Sequence, residues 1–130
     1  MKRIKQVIVM RKDLKMRRGK EIAQGSHASL AFLTRRLRNP LKWFGLFWLV
    51  LSRVEVNWLN HSFAKVCLQI NSEQELRDLE KTAKDAGLEC HLIVDSGRTE
   101  FDGVPTPTCL ALGPDYADEI DKITGHLKLY

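Results

Sequence analysis

The stretch LECHLIVDSGRTEFDGVPTPTCLALGP, residues 88–114, decides the fold. Its first part, Leu88–Asp95, is an apolar run that predicts a buried strand. The middle, SGRTEFDGVPTP, has the Gly, Pro and small polar content of a loop. TCLALGP, from Thr108 to Pro114, predicts a second strand. Two neighbouring strands joined without a helix do not have the connection that a parallel pair requires. The sheet to which they belong is therefore mixed.

Reading outward, IKQVIVM (Ile4–Met10) is another β-branched run and predicts the first strand. A polar loop follows, then a helical pattern from Arg18 to Arg38. Ile22, Ser26, Leu30, Leu33 and Leu37 share one face of that helix at 3.6 periodicity, which marks it as the packing face. Asn39-Pro40 ends it. Residues 41–60 hold a second helical pattern, dense in Trp and Phe. Ser62–Ile70 reads as a strand. Ser72, with Glu75 three residues on, is a capping-box signature for a helix to about Ala86, with Gly87 as its stop. Pro114 opens a last helix to about Thr124, ended by Gly125. The order β-α-α-β-α-β-β-α predicts one α/β domain over residues 1–130, with helices against a mostly buried sheet. There is no repeat, low-complexity segment or linker.

Charge divides the chain. Residues 1–42 carry 13 Lys and Arg against Asp13 and Glu21, a net of +11, whereas the remaining 88 residues have a net of −6. Such asymmetry points to a polyanion as the partner of the N-terminal third; the plainer reading is a solvated basic face. The three cysteines (Cys67, Cys90, Cys109) form no CxxC pair, which argues against a disulfide framework or a zinc ribbon and fits a reducing cytosol. His27, His61, His91 and His126 show no metal-binding spacing, so neither metal nor cofactor is expected. No secretory signal is visible, and the apolar run in Leu41–Leu51 falls short of the roughly 20 residues of a spanning helix.

Two constellations carry chemistry. Lys20, Gln24 and His27 are spaced i, i+4, i+7. They fall within about 60° of arc, roughly 130° from the centre of the Ile/Leu face. Ala23, Ala28 and Ala31 flank them and leave room for a ligand; the alternative is an exposed stripe whose small neighbours serve sheet packing. The entry to this helix carries Arg17, Arg18 and Lys20, and basic groups beside free N–H groups suit an anion such as phosphate. The GK pair is not a phosphate loop, since position 14 is Leu. The second constellation, Asp95, Arg98 and Thr99, ends the third strand, where ligands gather in open α/β sheets. A carboxylate there beside a lysine suits the orientation or activation of water; alternatively Asp95 and Thr99 cap a turn.

VIVMRKDLKMRRGKEIAQGSHAS, VDSGRTEF, TCLALGP and ADEIDKITGHLKLY, in this order, resemble the peptidyl-tRNA hydrolase 2 family. The resemblance covers all but roughly residues 36–60. It implies a three-layer α/β/α fold with a four-stranded mixed sheet. It also implies hydrolysis, without a metal, of the ester joining a peptide to the 3′ end of tRNA in the cytoplasm. On the matching positions it makes Lys20, Asp95 and Thr99 catalytic. Gln24 and His27 fall in its helix motif, Arg98 in its GRT word, and Thr108 at a threonine before the last strand. The chain departs from the family at Glu100, where Gln is usual, and in a longer FDGVPTPT loop.

On this reading Asp95 orients or deprotonates water, Lys20 stabilises the oxyanion, and Thr99 holds the water or the ester carbonyl. His27 contacts the terminal ribose or supports Asp95, and Lys15, Arg17 and Arg18 seat the tRNA backbone. The rival is a relative that binds tRNA or a protein without hydrolysis. Glu100 and the apolar stretch favour it; Lys20, Asp95 and Thr99 together speak against it. Trp43, Phe44, Phe47, Trp48 and Leu51 form a broad apolar stripe on the helix expected over 41–51. We expect part of that helix to form a homodimer interface, with membrane-surface contact the weaker reading.

Overall fold

In a computed structural model, which describes residues 2–39 and 44–130, one four-stranded sheet carries helices on both faces. The elements are β1 (Ile4–Arg11), α1 (Arg18–Thr34), α2 (Arg53–Asn60), β2 (Lys65–Ile70), α3 (Glu73–Asp85), β3 (Cys90–Asp95), β4 (Thr106–Tyr116) and α4 (Ala117–Thr124). The strand order is β2-β1-β4-β3. β1 runs parallel to β2, while β4 lies antiparallel to both β1 and β3. The mixed sheet expected from residues 88–114 is present, and the loop connection produces the β3–β4 pair.

Alternation along β1 divides the core. Val7 and Val9 join Leu68, Ile70, Leu110 and Leu112 under α3 and α4. Ile8 and Met10 face the other way, with Cys109 and Ala111, under Ala28 and Ala31 of α1. Strand side chains point alternately to opposite faces, so these two sets require two helical layers. A third cluster, Ile4, Phe32 and Trp58, seats α2.

Several expectations about elements need correction. The packing face of α1 is not Ile22–Leu37. Gln24, Ala28, Ala31 and Phe32 are its buried residues, while Ile22 and Leu30 are exposed. Small residues let the helix lie close over β4 and β3, and Ile22 and Leu30 are left at the side, whereas Phe32 packs with Ile4 and Trp58. The final helix does not open at Pro114, which lies inside β4 beside the register shift at Lys5–Val7; there a missing N–H is tolerated. The helix expected over 41–51 does not form in its described part. Residues 44–50 are not helical, and Trp48 instead pairs with Arg38 in an isolated antiparallel bridge. α1 ends at Thr34, short of the expected run to Arg38 and its Asn39-Pro40 stop; residues 40–43, including Pro40 and Trp43, lie outside the described residues. α2 begins only at Arg53, where Ser52 and Glu55 form a full capping box. At α3, Ser72 caps as expected, but the Glu75 carboxylate accepts from the N–H of Asn71.

Candidate active site

Lys20, Asp95 and Thr99 come together at the end of β3 beside the first turn of α1. Lys20 Nζ donates to Asp95 Oδ1 at 2.8 Å and to Thr99 Oγ1 at 3.2 Å. The Lys20 and Asp95 side chains are largely buried, so water screens the pair weakly. Gln24 Nε2 donates to the same Oδ1 at 3.2 Å, and the backbone N–H of Gly97 donates to Oδ2 at 2.9 Å. The Lys20 ammonium, then the Gly97 N–H and the Gln24 amide, outweigh desolvation and hold the Asp95 carboxyl below its ordinary range.

A buried hydroxyl fixes the second row. Thr108 Oγ1, on β4, donates to Gln24 Oε1 at 2.5 Å, which leaves the Gln24 amide nitrogen aimed at Asp95. Thr108 and Gln24 are both buried. Thr108 therefore reaches the site through Gln24 and has no surface to offer RNA. Arg11, also buried, ties its guanidinium to the carbonyl of Pro107 and to Asp13, which holds the start of β4 in place.

The loop after β3 is shaped by Gly97. Its φ is +80°, and a Cβ there would lie 2.4 Å from the carbonyl oxygen of Val104. Only glycine permits this approach, and the fold of the loop in turn presents the Gly97 N–H to Asp95. The alternative that Asp95 caps a turn is met here, although sequence reasoning did not name Gly97 as the donor. Asp95-Ser96-Gly97 is nonetheless a legible Asx-turn pattern, in which the side chain accepts from the backbone two residues on.

The remaining candidates surround the cluster without joining it. Arg17, the N-cap residue of α1, pairs with Glu100 at 3.0 Å and is otherwise exposed. Lys15 and Arg98 are exposed in the loops on either side. His27 is exposed, and the partners of Asp95 are Lys20, Gln24 and Gly97 instead. Arg18 points away, into a groove of about 600 Å³ between α1 and β2 lined by Ile8, Met10, Ile22, Leu30 and Cys67. That groove contains neither Lys20 nor Asp95. Burial pushes the thiols of Cys90 and Cys109 up to about 12, which leaves them without thiolate character. Among the described residues no cluster of three or more His, Cys, Asp or Glu could hold a metal ion.

The cluster draws on the same positions that suggested a family in the sequence, and comparison settles the membership. The profile of the family Peptidyl-tRNA hydrolase PTH2 matches residues 4–130. The chain belongs to this family. It is 42% identical over 127 residues to a peptidyl-tRNA hydrolase of Methanocaldococcus jannaschii, covering 97% of this chain and 99% of that protein. A peptidyl-tRNA hydrolase of Nanoarchaeum equitans is 40% identical over 127 residues, covering 98% and 99% respectively. A probable peptidyl-tRNA hydrolase 2 of Dictyostelium discoideum is 40% identical over 126 residues, covering 97% of this chain. The chain spans about half the length of that relative, 54%. In a PTH2 chain, then, the Lys20–Asp95–Thr99 cluster lies at the carboxyl end of a strand and the amino end of a helix, where open α/β sheets place ligands.

Proposed function

We propose that this chain is a cytoplasmic peptidyl-tRNA hydrolase, acting as one domain over residues 1–130. It cleaves the ester between a peptide, or an N-blocked amino acid, and the 3′ end of tRNA. Family membership supports the substrate, and one observation carries the chemistry: the hydrogen-bonding capacity left over in the Lys20–Asp95 pair. An ammonium has three N–H donors and a carboxylate about four acceptor sites. Lys20 uses two donors, on Asp95 and Thr99. Asp95 uses three acceptor sites, for Lys20, Gln24 and Gly97. One N–H of Lys20 and one acceptor site of Asp95 remain.

That remainder suits ester hydrolysis. The free acceptor site on Asp95 Oδ2 orients water, and Thr99 Oγ1 offers a second contact. A carboxyl held below its usual range is a weak base, so of the two roles expected for Asp95 orientation is favoured over deprotonation. Water adds to the ester carbonyl carbon. The third N–H of Lys20 meets the oxygen that becomes negative, in a site held ready before reaction. The bond to the ribose oxygen then breaks. The water supplies one proton to the ribose hydroxyl, and its oxygen stays on the released carboxylic acid. Gln24 and Thr108 are positioning residues. Lys15, Arg17 and Arg98 are cations for tRNA phosphates, with Arg18 a weaker contributor from the groove side, and His27 contacts the terminal ribose. No cofactor enters the scheme.

The test is release of the peptide from purified N-blocked aminoacyl-tRNA. The wild-type chain should turn over, and Lys20→Ala should lose about 10²–10³ in rate with its circular dichroism unchanged. A wild-type chain that binds tRNA without releasing peptide would establish the binding-only reading. Near-normal turnover by Lys20→Ala would remove Lys20 from the chemistry.

A further inference from the structure

At the far end of α1 from Lys20, the segment Phe44–Val50 (FGLFWLV) stands open to solvent along its whole length. Phe44, Leu46, Phe47, Trp48 and Leu49 are all exposed, and Val50 is 86% exposed. We propose that this loop inserts shallowly into the surface of an anionic phospholipid bilayer, with the arginines at its base on the headgroups.

Three observations favour a bilayer. The first is the direction of the side chains. In an irregular segment, consecutive residues point to different sides, and here both odd- and even-numbered positions are exposed. A protein partner with a flat face covers one side of such a loop. A bilayer interface surrounds it, and Trp and Phe are the side chains that settle at that depth.

The second is charge. From residue 35 to residue 53 the sequence holds five basic residues and no acidic one. Among the described residues Arg36 is paired with Glu55 and Glu89, which leaves its charge compensated. Arg35 contacts His91 and the carbonyl of Leu92, and Arg38 contacts the carbonyls of Arg36 and Leu37. Neither meets a carboxylate there, and Arg53 is exposed at the start of α2. Each uncompensated cation near an anionic leaflet adds to binding.

The third is construction. The N–H and carbonyl of Arg38 and of Trp48 pair reciprocally, at 2.9 and 2.6 Å, and close the base of the loop. Irregular backbone is not tolerated in hydrocarbon, so insertion stops at the headgroup boundary, about 5–10 Å deep. α1 has 17 residues. At about 1.5 Å per residue its part from Lys20 to Thr34 spans roughly 21 Å, so a chain held by the loop keeps its catalytic end in water.

The experiment is co-sedimentation of the full chain with vesicles of phosphatidylcholine plus phosphatidylglycerol, and with phosphatidylcholine alone. The wild type should partition onto the anionic vesicles. Phe47→Glu/Trp48→Glu should weaken that partition by about tenfold or more at an unchanged melting temperature. In a Trp43→Phe background, brominated lipid should quench Trp48 but not the buried Trp58. Undiminished binding by the double variant would assign adsorption to the basic N-terminal third and overturn the proposal. A dimer in sedimentation, dissolved by Trp48→Glu and indifferent to vesicles, would overturn it in favour of an interface between copies.

Discussion

The two ends of α1 use side chains in opposite ways. At its start, three donors converge on the Asp95 carboxylate, and each of those groups is held by another: Lys20 by Thr99, Gln24 by Thr108, Gly97 by the turn over Val104. Past its end, between Phe44 and Val50, apolar groups stand in water. Polar positions near Lys20 are determined by one another across α1, β3 and β4. The apolar segment is closed at its base by the backbone pairing of Arg38 and Trp48. The contrast teaches that hydrophobicity states what gains by leaving water, and convergence of donors and acceptors states where a side chain must be.

The contrast can be broken first at Trp58, which lies beneath the apolar end and is 1% exposed. It packs on Phe32 and Phe63, and its indole N–H donates to the carbonyl of Ala64. Trp58→Ala should cost about 3–5 kcal/mol in urea unfolding. Val50→Ser, a few residues away but open to solvent, should stay within about 0.5 kcal/mol. Equal costs would mean that the loop is part of the core after all.

At the polar end, if Asp95 acts as proposed, Asp95→Asn should lower turnover by about 10²–10³, because it removes the charge that holds Lys20. The wild-type pH profile sharpens this. The folded Asp95 carboxyl titrates below its ordinary value of about 3.9, so its contribution to stability and rate is complete above that value. The contribution is lost as pH falls through the lower folded value. Turnover limited by an inflection at about pH 5–7 that disappears in Asp95→Asn would instead make Asp95 a raised-pKa base.

Thr108→Val should have a smaller effect. It leaves Gln24 Oε1 buried without its donor, a cost of about 1–3 kcal/mol. Freed of that anchor, the Gln24 amide should misorient, and kcat should fall by about tenfold while KM holds. A change in KM alone would make Thr108 part of the binding surface.

The smallest expected effect separates the two arginines at the helix entry. If Arg17 holds a phosphate, Arg17→Ala should flatten the log–log salt dependence of tRNA affinity by about 0.7–0.9. Glu100→Gln, which releases Arg17 from its ion pair, should raise affinity at low salt. Arg18→Ala, on the groove side, should change the slope less. Equal slopes for Arg17→Ala and wild type would remove Arg17 from the RNA seat.

Much of this could be read in the sequence, for physical reasons that differ by residue. The strands were legible because β-branched runs such as Ile4–Met10 have few other solutions. Lys20, Asp95 and Thr99 were legible by resemblance, and their spacing at element ends is consistent with it. The packing face of α1 was misread because periodicity ranks residues by apolarity, whereas a helix lying close over strands favours small ones; Ala28 and Ala31 took the place assigned to Ile22 and Leu30. The apolar segment was misread as a helix for a related reason. Leu, Phe and Trp suit a helix, but Trp48 satisfies its backbone against Arg38, and the capping box that starts α2 lies further on, at Ser52. Gly97 was overlooked because its contribution is a backbone N–H.

The strand order has a consequence for how the molecule is made. β4, the last strand in the chain, lies between β1 and β3, with Tyr116 opposite Ile4 and Thr106 opposite Asp95. During synthesis β1, β2 and β3 all leave the ribosome before it. Until β4 arrives, β1 lacks one of its two neighbours, and β3, at the sheet edge, lacks the strand with which it pairs. A chain halted before residue 106 therefore already carries Lys20, Asp95 and Thr99, yet lacks the central strand against which both α1 and β3 pack. The machinery comes into being in one late step, when a strand made last is received into the middle of the sheet.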